Sequence, residues 1–332
     1  MPQNLASLPA FLAERIIGQP QAMEQIAQAV QRAELGLTKP NRPKGVFLLL
    51  GPTGVGKTET VLNLSRFLHG EDAAPARFDM GEYGHEDSLM RLLGADRNDP
   101  GLLGREIDAR PQGGILLLDE IEKAHVKISK VFLAAADAAR LTPADGRTRD
   151  LSRWYIVFTS NLGSGDAVKM SGVPYTMLAR TVMQSATAFF APETIARFQH
   201  KIVFNSLIYE VQRRIAESLI GKEARHLSEV LSQHYNQPCT VTCGPGVITF
   251  IVRKGHTREM GARNMRDTVE SEMGNPVADW MLRTQKLDHS VSIILEAGSS
   301  ATSLSVQAPE SQPGGVIIGG MPQLPGIVFH GP

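Results

Sequence analysis

The sequence predicts an α/β domain built on an open parallel sheet, followed by a smaller α+β domain. Three observations carry that expectation. Apolar runs at 44–50, 114–118 and 154–158 are short and continuous, and each is followed by polar residues. Segments with helical periodicity separate them. After about residue 206 the pattern shifts to a long, charged helical stretch and short alternating strands. Continuous apolar runs are expected of parallel strands covered on both faces, and polar residues gathered at their C-terminal ends mark where such sheets place their sites.

In chain order, Met23, Ile26, Ala27, Val30 and Ala33 recur at three- and four-residue steps, predicting a half-buried helix over 20–35 that Gly36 and Pro40 end. Lys44–Leu50 reads as a buried strand entering a Gly-rich loop, with a helix from Lys57 to about His69. Strands at 114–118 and 154–158 deliver Asp119-Glu120 and Thr159-Ser160-Asn161, and a fourth strand is expected at 201–204. Leu207 to Gln233 reads as a helix, followed by a strand around Val241 and helices near 261–285. A hairpin of 291–295 with 302–306 about a Gly-Ser-Ser turn closes the domain. The expected divisions are 1–206, 207–308, and a tail at 309–332 with five Pro and six Gly. That composition lacks a core of its own and reads as a disordered or docking tail.

The 332 residues carry 34 Lys+Arg against 34 Asp+Glu, with 42% apolar residues and two cysteines. Fibrous, acidic-disordered and disulfide-stapled classes are thereby disfavoured. Zero net charge weighs against a nucleic-acid binder, because affinity for phosphate backbones needs clustered cations. Arg147, Arg149 and Arg153 offer only a thin basic track. The N-terminus has no basic region ahead of an apolar one, and no apolar run approaches the ~20 residues of a membrane helix. The expectation is a cytoplasmic protein without membrane insertion and with reduced thiols. Cys239 and Cys243 invite a metal reading, but Cys-Thr-Val-Thr-Cys alternates as a strand does, placing both thiols on one face with Val241.

Gly51-Pro52-Thr53-Gly54-Val55-Gly56-Lys57-Thr58 fits the phosphate-loop pattern and lies between a predicted strand and a predicted helix. Its glycines let backbone N–H groups turn toward phosphates, Lys57 reaches the terminal phosphoryl oxygens, and Thr58 can ligate Mg²⁺. Asp119-Glu120 alone could be a solvated turn. Beside a phosphate loop, Asp119 reads as a metal-holding carboxylate and Glu120 as the group that polarises an attacking water. Asn161 would help orient that water, or serve only as a turn residue.

GPTGVGKTE, ILLLDEIEKAH, RLTPADGRTRD and FTSNLGS together resemble the Clp family of AAA+ ATPases, above all the second ATPase module of its ClpB-type disaggregases. The resemblance spans about residues 12–306. It implies a P-loop NTPase core with a C-terminal lid domain, ATP and Mg²⁺ as ligands, and a homo-oligomeric ring, usually a hexamer, acting on a protein partner. By the same resemblance Ile17-Gly18 of Ile17-Gly18-Gln19 contacts adenine, and Asn161 is the first sensor. Arg197 matches the finger that reaches a neighbour's γ-phosphate, and Arg263 of Gly261-Ala262-Arg263 matches the second sensor. Apart from the resemblance, either arginine reads as a surface residue.

Threading members of the family carry a glycine–aromatic–hydrophobic–glycine pore loop before the strand that ends in the acidic pair. Here 91–107 contains no aromatic residue. Either Ala95–Pro100 replaces the gripping loop, or Gly101-Leu102-Leu103-Gly104 is that loop with leucine substituting for the ring. No second module, coiled-coil insertion or peptidase-docking Ile-Gly-Phe loop is recognised, which argues against a complete disaggregase. Two functions are therefore expected: a ring ATPase that remodels a protein partner, or a nucleotide-controlled scaffold within a larger machine that threads nothing.

Overall fold

The computed structural model describes residues 4–170, 172–255, 262–284, 286–287, 289–297 and 303–307. The chain divides between Ser206 and Leu207 into two compact units.

The larger unit is built on five parallel strands: β1 (Gly45–Leu50), β2 (Ala76–Asp79), β3 (Gly114–Asp119), β6 (Trp154–Ser160) and β7 (His200–Val203), in the order β2-β3-β6-β1-β7. Two short strands, β4 (Arg140–Leu141) and β5 (Arg149–Asp150), form a separate hairpin. Every residue of β1, β3 and β6 is buried, as their unbroken apolar runs require. On one face Leu48, Leu116, Leu118, Ile156 and Phe158 share a core with Ile128 and Phe132 of the Val126–Ala138 helix and Val182 of the Tyr175–Phe189 helix. The alternate residues Phe47, Leu49, Leu117 and Val157 are buried on the opposite face. The expected helices appear at Pro20–Glu34 and Lys57–His69. β2 was not anticipated, nor was the Leu8–Arg15 helix, whose Leu8 and Leu12 are fully buried.

Strand register positions the site. Leu50 stands beside Ser160 and Val203, and Leu118 stands beside Phe158, which sets Asp119 level with Thr159. The segments leaving β1, β3 and β6 therefore emerge together at the carboxyl edge of the sheet.

The smaller unit combines helices Tyr209–Tyr235, Gly246–Gly255 and Arg263–Arg283 with a three-stranded mixed sheet. Its strands are β8 (Cys239–Cys243), β9 (Val291–Glu296) and β10 (Ser305–Gln307), with β9 parallel to β8 and antiparallel to β10. Cys239 and Val241 are buried and Cys243 half-buried, between exposed Thr240 and Thr242, the alternation read from the sequence. The 246–255 helix was not anticipated. The Gly-Ser-Ser turn, Gly261 and the 309–332 tail lie outside the described residues.

Candidate nucleotide site

The loop from Gly51 to Gly56 must join a buried strand to a helix in six residues, and its glycines make the turn. Gly51, Gly54 and Gly56 adopt φ of 144°, 72° and 106°. A Cβ on Gly51 would lie 2.7 Å from the Phe204 carbonyl oxygen, so the close approach of β7's end also requires glycine there. Gly56 is the N-cap of the Lys57–His69 helix, and no side chain caps it. First-turn amides of such a helix are donors suited to an anion.

Three segments meet on this loop. Gln19, 1% exposed, donates to the Val55 carbonyl at 3.2 Å and the Asn205 carbonyl at 2.9 Å, and accepts from the Asn205 N–H at 2.8 Å. It thus ties half-buried Ile17 and Gly18 to the phosphate loop and the end of β7. Lys57 is 7% exposed, and its Nζ donates to the carbonyls of Gly51 (2.6 Å) and Pro52 (2.7 Å) and to Asn161 Oδ1 (2.9 Å). Thr53 Oγ1 approaches the same Asn161 oxygen at 3.4 Å.

Asp119 is buried at the end of β3. It accepts from the Thr159 hydroxyl, from Arg77 Nη2 at 2.7 Å and, at 3.3 Å on both oxygens, from the Thr58 hydroxyl. Thr159 in turn accepts the Glu120 N–H at 3.0 Å. That bond helps hold Glu120 at φ 58°, ψ 53°, a left-handed conformation that non-glycine residues rarely adopt. The Glu120 carboxylate accepts Asn161 Nδ2 at 2.9 Å and pairs with Lys123 Nζ at 2.5 Å. The hydrogen bond to Glu120 pushes the Lys123 ammonium pKa up. The Asn161 N–H donates to Glu122 Oε1 at 2.8 Å, which fixes the backbone carrying that amide.

The structure gathers Gly51–Thr58, Asp119, Glu120 and Asn161 into one cluster, with Ile17-Gly18 tethered beside it. Arg197 makes a different contact, pairing through Nε with Asp137 at 3.2 Å. Arg263 stands exposed at the first position of its helix in the small unit. Sequence reasoning missed Arg77, Lys123 and Glu122 and gave Thr159 no role. Arg77 sits in the alternating Ala-Arg-Phe-Asp of β2, a pattern that marks a strand but not its partner.

The two alignments of the 91–107 interval are distinguished by burial. Gly101–Asp108 is a helix and Leu103, 1% exposed, belongs to the core, so Gly101-Leu102-Leu103-Gly104 is not a gripping loop. The loop is 94–100. Asp99 closes it, accepting from the N–H groups of Gly101 (3.0 Å) and Ala95 (3.2 Å) and from Arg105 (2.9 Å). These bonds, the backbone ones foremost, hold the Asp99 carboxyl below its ordinary pKa. The basic track is also thinner than expected. Arg149 is 6% exposed and spends its guanidinium on Asp108 and Asp145, with Nε and Nη contacts of 2.6–3.0 Å.

Residues 42–201 match the AAA domain (Cdc48 subfamily), and residues 209–293 match the C-terminal, D2-small domain of ClpB protein. The chain is 34% identical over 316 residues to "Chaperone protein ClpB 1" of Nostoc sp., covering 92% of this chain and 35% of the relative. It is 36% identical over 278 residues to "Heat shock protein 100" of Trypanosoma brucei brucei, covering 82% and 31%. Against "Chaperone protein ClpB" of Pseudomonas putida it is 35% identical over 287 residues, covering 84% and 32%. The chain spans about a third of the length of these relatives. A phosphate loop and acidic strand end on a five-stranded parallel sheet, followed by a small domain of the ClpB D2 type, identify the chain as a member of the Clp-type AAA+ ATP hydrolases.

Proposed function

We propose that this chain hydrolyses ATP with Mg²⁺ as part of a homo-oligomeric ring, a hexamer by family resemblance, and uses the cycle to remodel a protein partner. The observation that carries the reading is Asn161, which joins Lys57 at 2.9 Å to Glu120 at 2.9 Å while Asp119 lies against Thr58. Loop amides and Lys57 hold the phosphates, and Ile17 and Gly18 flank the base. The Thr58 hydroxyl and Asp119 carboxylate are hard oxygen donors of the kind Mg²⁺ takes, and an ion held by them would neutralise phosphate charge. Glu120 accepts the proton of the attacking water, and Asn161 orients Glu120. Arg197 from a neighbouring subunit and Arg263 from the chain's own small domain supply cations to the charged transition state.

Zero net charge and the consumption of Arg149 in internal ion pairs favour a protein partner over nucleic acid. No described helix is long and apolar enough to cross a membrane, and the cytoplasm is the proposed location. Glu120→Gln tests the chemistry: nucleotide binding is retained and turnover abolished. Undiminished turnover in that variant removes Glu120 from its role.

A second reading is favoured by the 94–100 loop. It contains no aromatic residue and is tied down by Asp99, while Leu103 of the following helix is committed to the core. A chain with that loop acts as a nucleotide-controlled scaffold. ATP-driven unfolding of a tagged folded substrate by the purified protein supports remodelling. Brisk hydrolysis without unfolding supports the scaffold.

A further inference from the structure

We propose that Asp137 is a positioning residue for Arg197, braced from its other side by Arg42. The inference rests on the reading of Arg197 as the group that serves a neighbour's nucleotide. Asp137 Oδ2 forms an ion pair with Arg197, 3.2 Å from Nε, and Oδ1 accepts from Arg42 Nη1 at 2.6 Å. One carboxylate thus holds two guanidinium groups from separate parts of the large unit.

The mode of contact matters. An arginine offers five N–H donors, one on Nε and four on the terminal fork. An ion pair nearest to Nε draws on that side of the guanidinium and leaves both terminal amino groups, which form no hydrogen bond among the described residues, to meet phosphate oxygens. Both ends of the pair stand on rigid supports. Arg197 ends the Pro192–Arg197 helix, and the next residue, Phe198, is 1% exposed and packs edge-on against Phe158 at 5.1 Å. Asp137 lies in the last turn of the Val126–Ala138 helix, anchored by Phe132 and Ala136 in the core. Only the Arg197 side chain is left to be ordered, and Asp137 orders it.

The pair contributes little to folding, since the side chains of Arg197 and Asp137 are each 37% exposed and that of Arg42 is 44% exposed. What it supplies is orientation: a long side chain already held extended loses less freedom when it reaches the γ-phosphate.

Steady-state ATP turnover of the assembled protein tests this with Asp137→Ala, Asp137→Asn, Arg197→Ala and the Asp137→Ala/Arg197→Ala pair, alongside melting temperatures. Arg197→Ala is expected to lower kcat by at least about a hundredfold, as loss of an arginine finger does. Asp137→Ala should lower kcat about tenfold, the scale of a misplaced catalytic group, with KM and melting temperature unchanged. Asp137→Asn should fall between it and the parent. The double variant should be no slower than Arg197→Ala, because Asp137 acts through Arg197 alone. If Arg197→Ala is slow but either Asp137 variant matches or exceeds the parent rate, positioning by Asp137 is overturned and the finger survives. A double variant slower than Arg197→Ala by a further tenfold also overturns it. Parent-like turnover in Arg197→Ala overturns the finger, and the proposal with it.

Discussion

Replacing Thr159 with Val removes one hydroxyl from the centre of the site and keeps its shape. The Thr159 side chain is fully buried, donates to Asp119 and accepts the Glu120 N–H at 3.0 Å. A hydrogen bond to a carboxylate contributes about 1.5–3 kcal/mol and one to a neutral amide about 0.5–1.5 kcal/mol, so the variant should lose about 3 kcal/mol. For a unit of this size that lowers the melting temperature by about 6–12 °C, at about 2–4 °C per kcal/mol. Thr159→Ser keeps the hydroxyl and loses a buried methyl, at a cost of about 1 kcal/mol. Turnover should separate the variants further. Without Thr159 Oγ1 to receive its N–H, Glu120 loses the bond that helps hold its left-handed backbone, and its carboxylate leaves Asn161. Thermal melts and ATP turnover of both variants decide the matter. If Val and Ser variants melt together, or the Val variant turns over as fast as the Ser one, Thr159 is not the hub described here.

Leu103→Ala should cost about 2–5 kcal/mol in urea unfolding because Leu103 is a core residue, whereas half-buried Leu102→Ala should cost less; equal and negligible costs would return both to an exposed loop. Gly51→Ala forces a Cβ to 2.7 Å from the Phe204 carbonyl at a φ of 144°, so binding of a fluorescent ATP analogue should be lost, and parent-like affinity would contradict the geometry.

What the sequence disclosed follows from how each element is buried. β1, β3 and β6 are covered on both faces and so advertise themselves as unbroken apolar runs. The phosphate loop was legible because its conformation demands glycine at fixed places. β2 is an edge strand with only Ala76 and Phe78 buried, too short and too alternating to distinguish from a loop. The 246–255 helix buries Val247, Phe250 and Ile251 within ten residues and presents an equally short signal. Partners across the sheet were the least visible. Arg77 meets Asp119 only because β2 lies beside β3, with Asp79 opposite Asp119. Arg149 read as part of a basic track because one of its two carboxylates, Asp108, is 41 residues away, and the other, Asp145, four residues away, does not reveal that the guanidinium is buried. The role of Asp137 is of this kind also, since nothing near it in sequence names Arg197 or Arg42.

On the roles proposed for Lys57, Glu120 and Asn161, the same network would carry nucleotide arrival to Glu120 within the large unit. An ammonium has three donors, and the bonds from Lys57 Nζ to Gly51, Pro52 and Asn161 match that number. A phosphate oxygen competing for Nζ must displace one of them. Two acceptors are carbonyls of the loop that carries Lys57, held by the same turn. The third is the Asn161 side chain, delivered from β6, and it is also the group whose Nδ2 holds Glu120. A negatively charged ligand is a stronger acceptor than any of these three neutral amide oxygens, and of the three only the Asn161 side chain can turn away without moving the loop. Loss of the Lys57 bond would loosen the Asn161 amide and so one of the contacts of the Glu120 carboxylate, which stays paired with Lys123. On those proposed roles, phosphate binding and water activation would be joined through a single side chain, while Asp119, held by Thr159 and Arg77, stays beside Thr58.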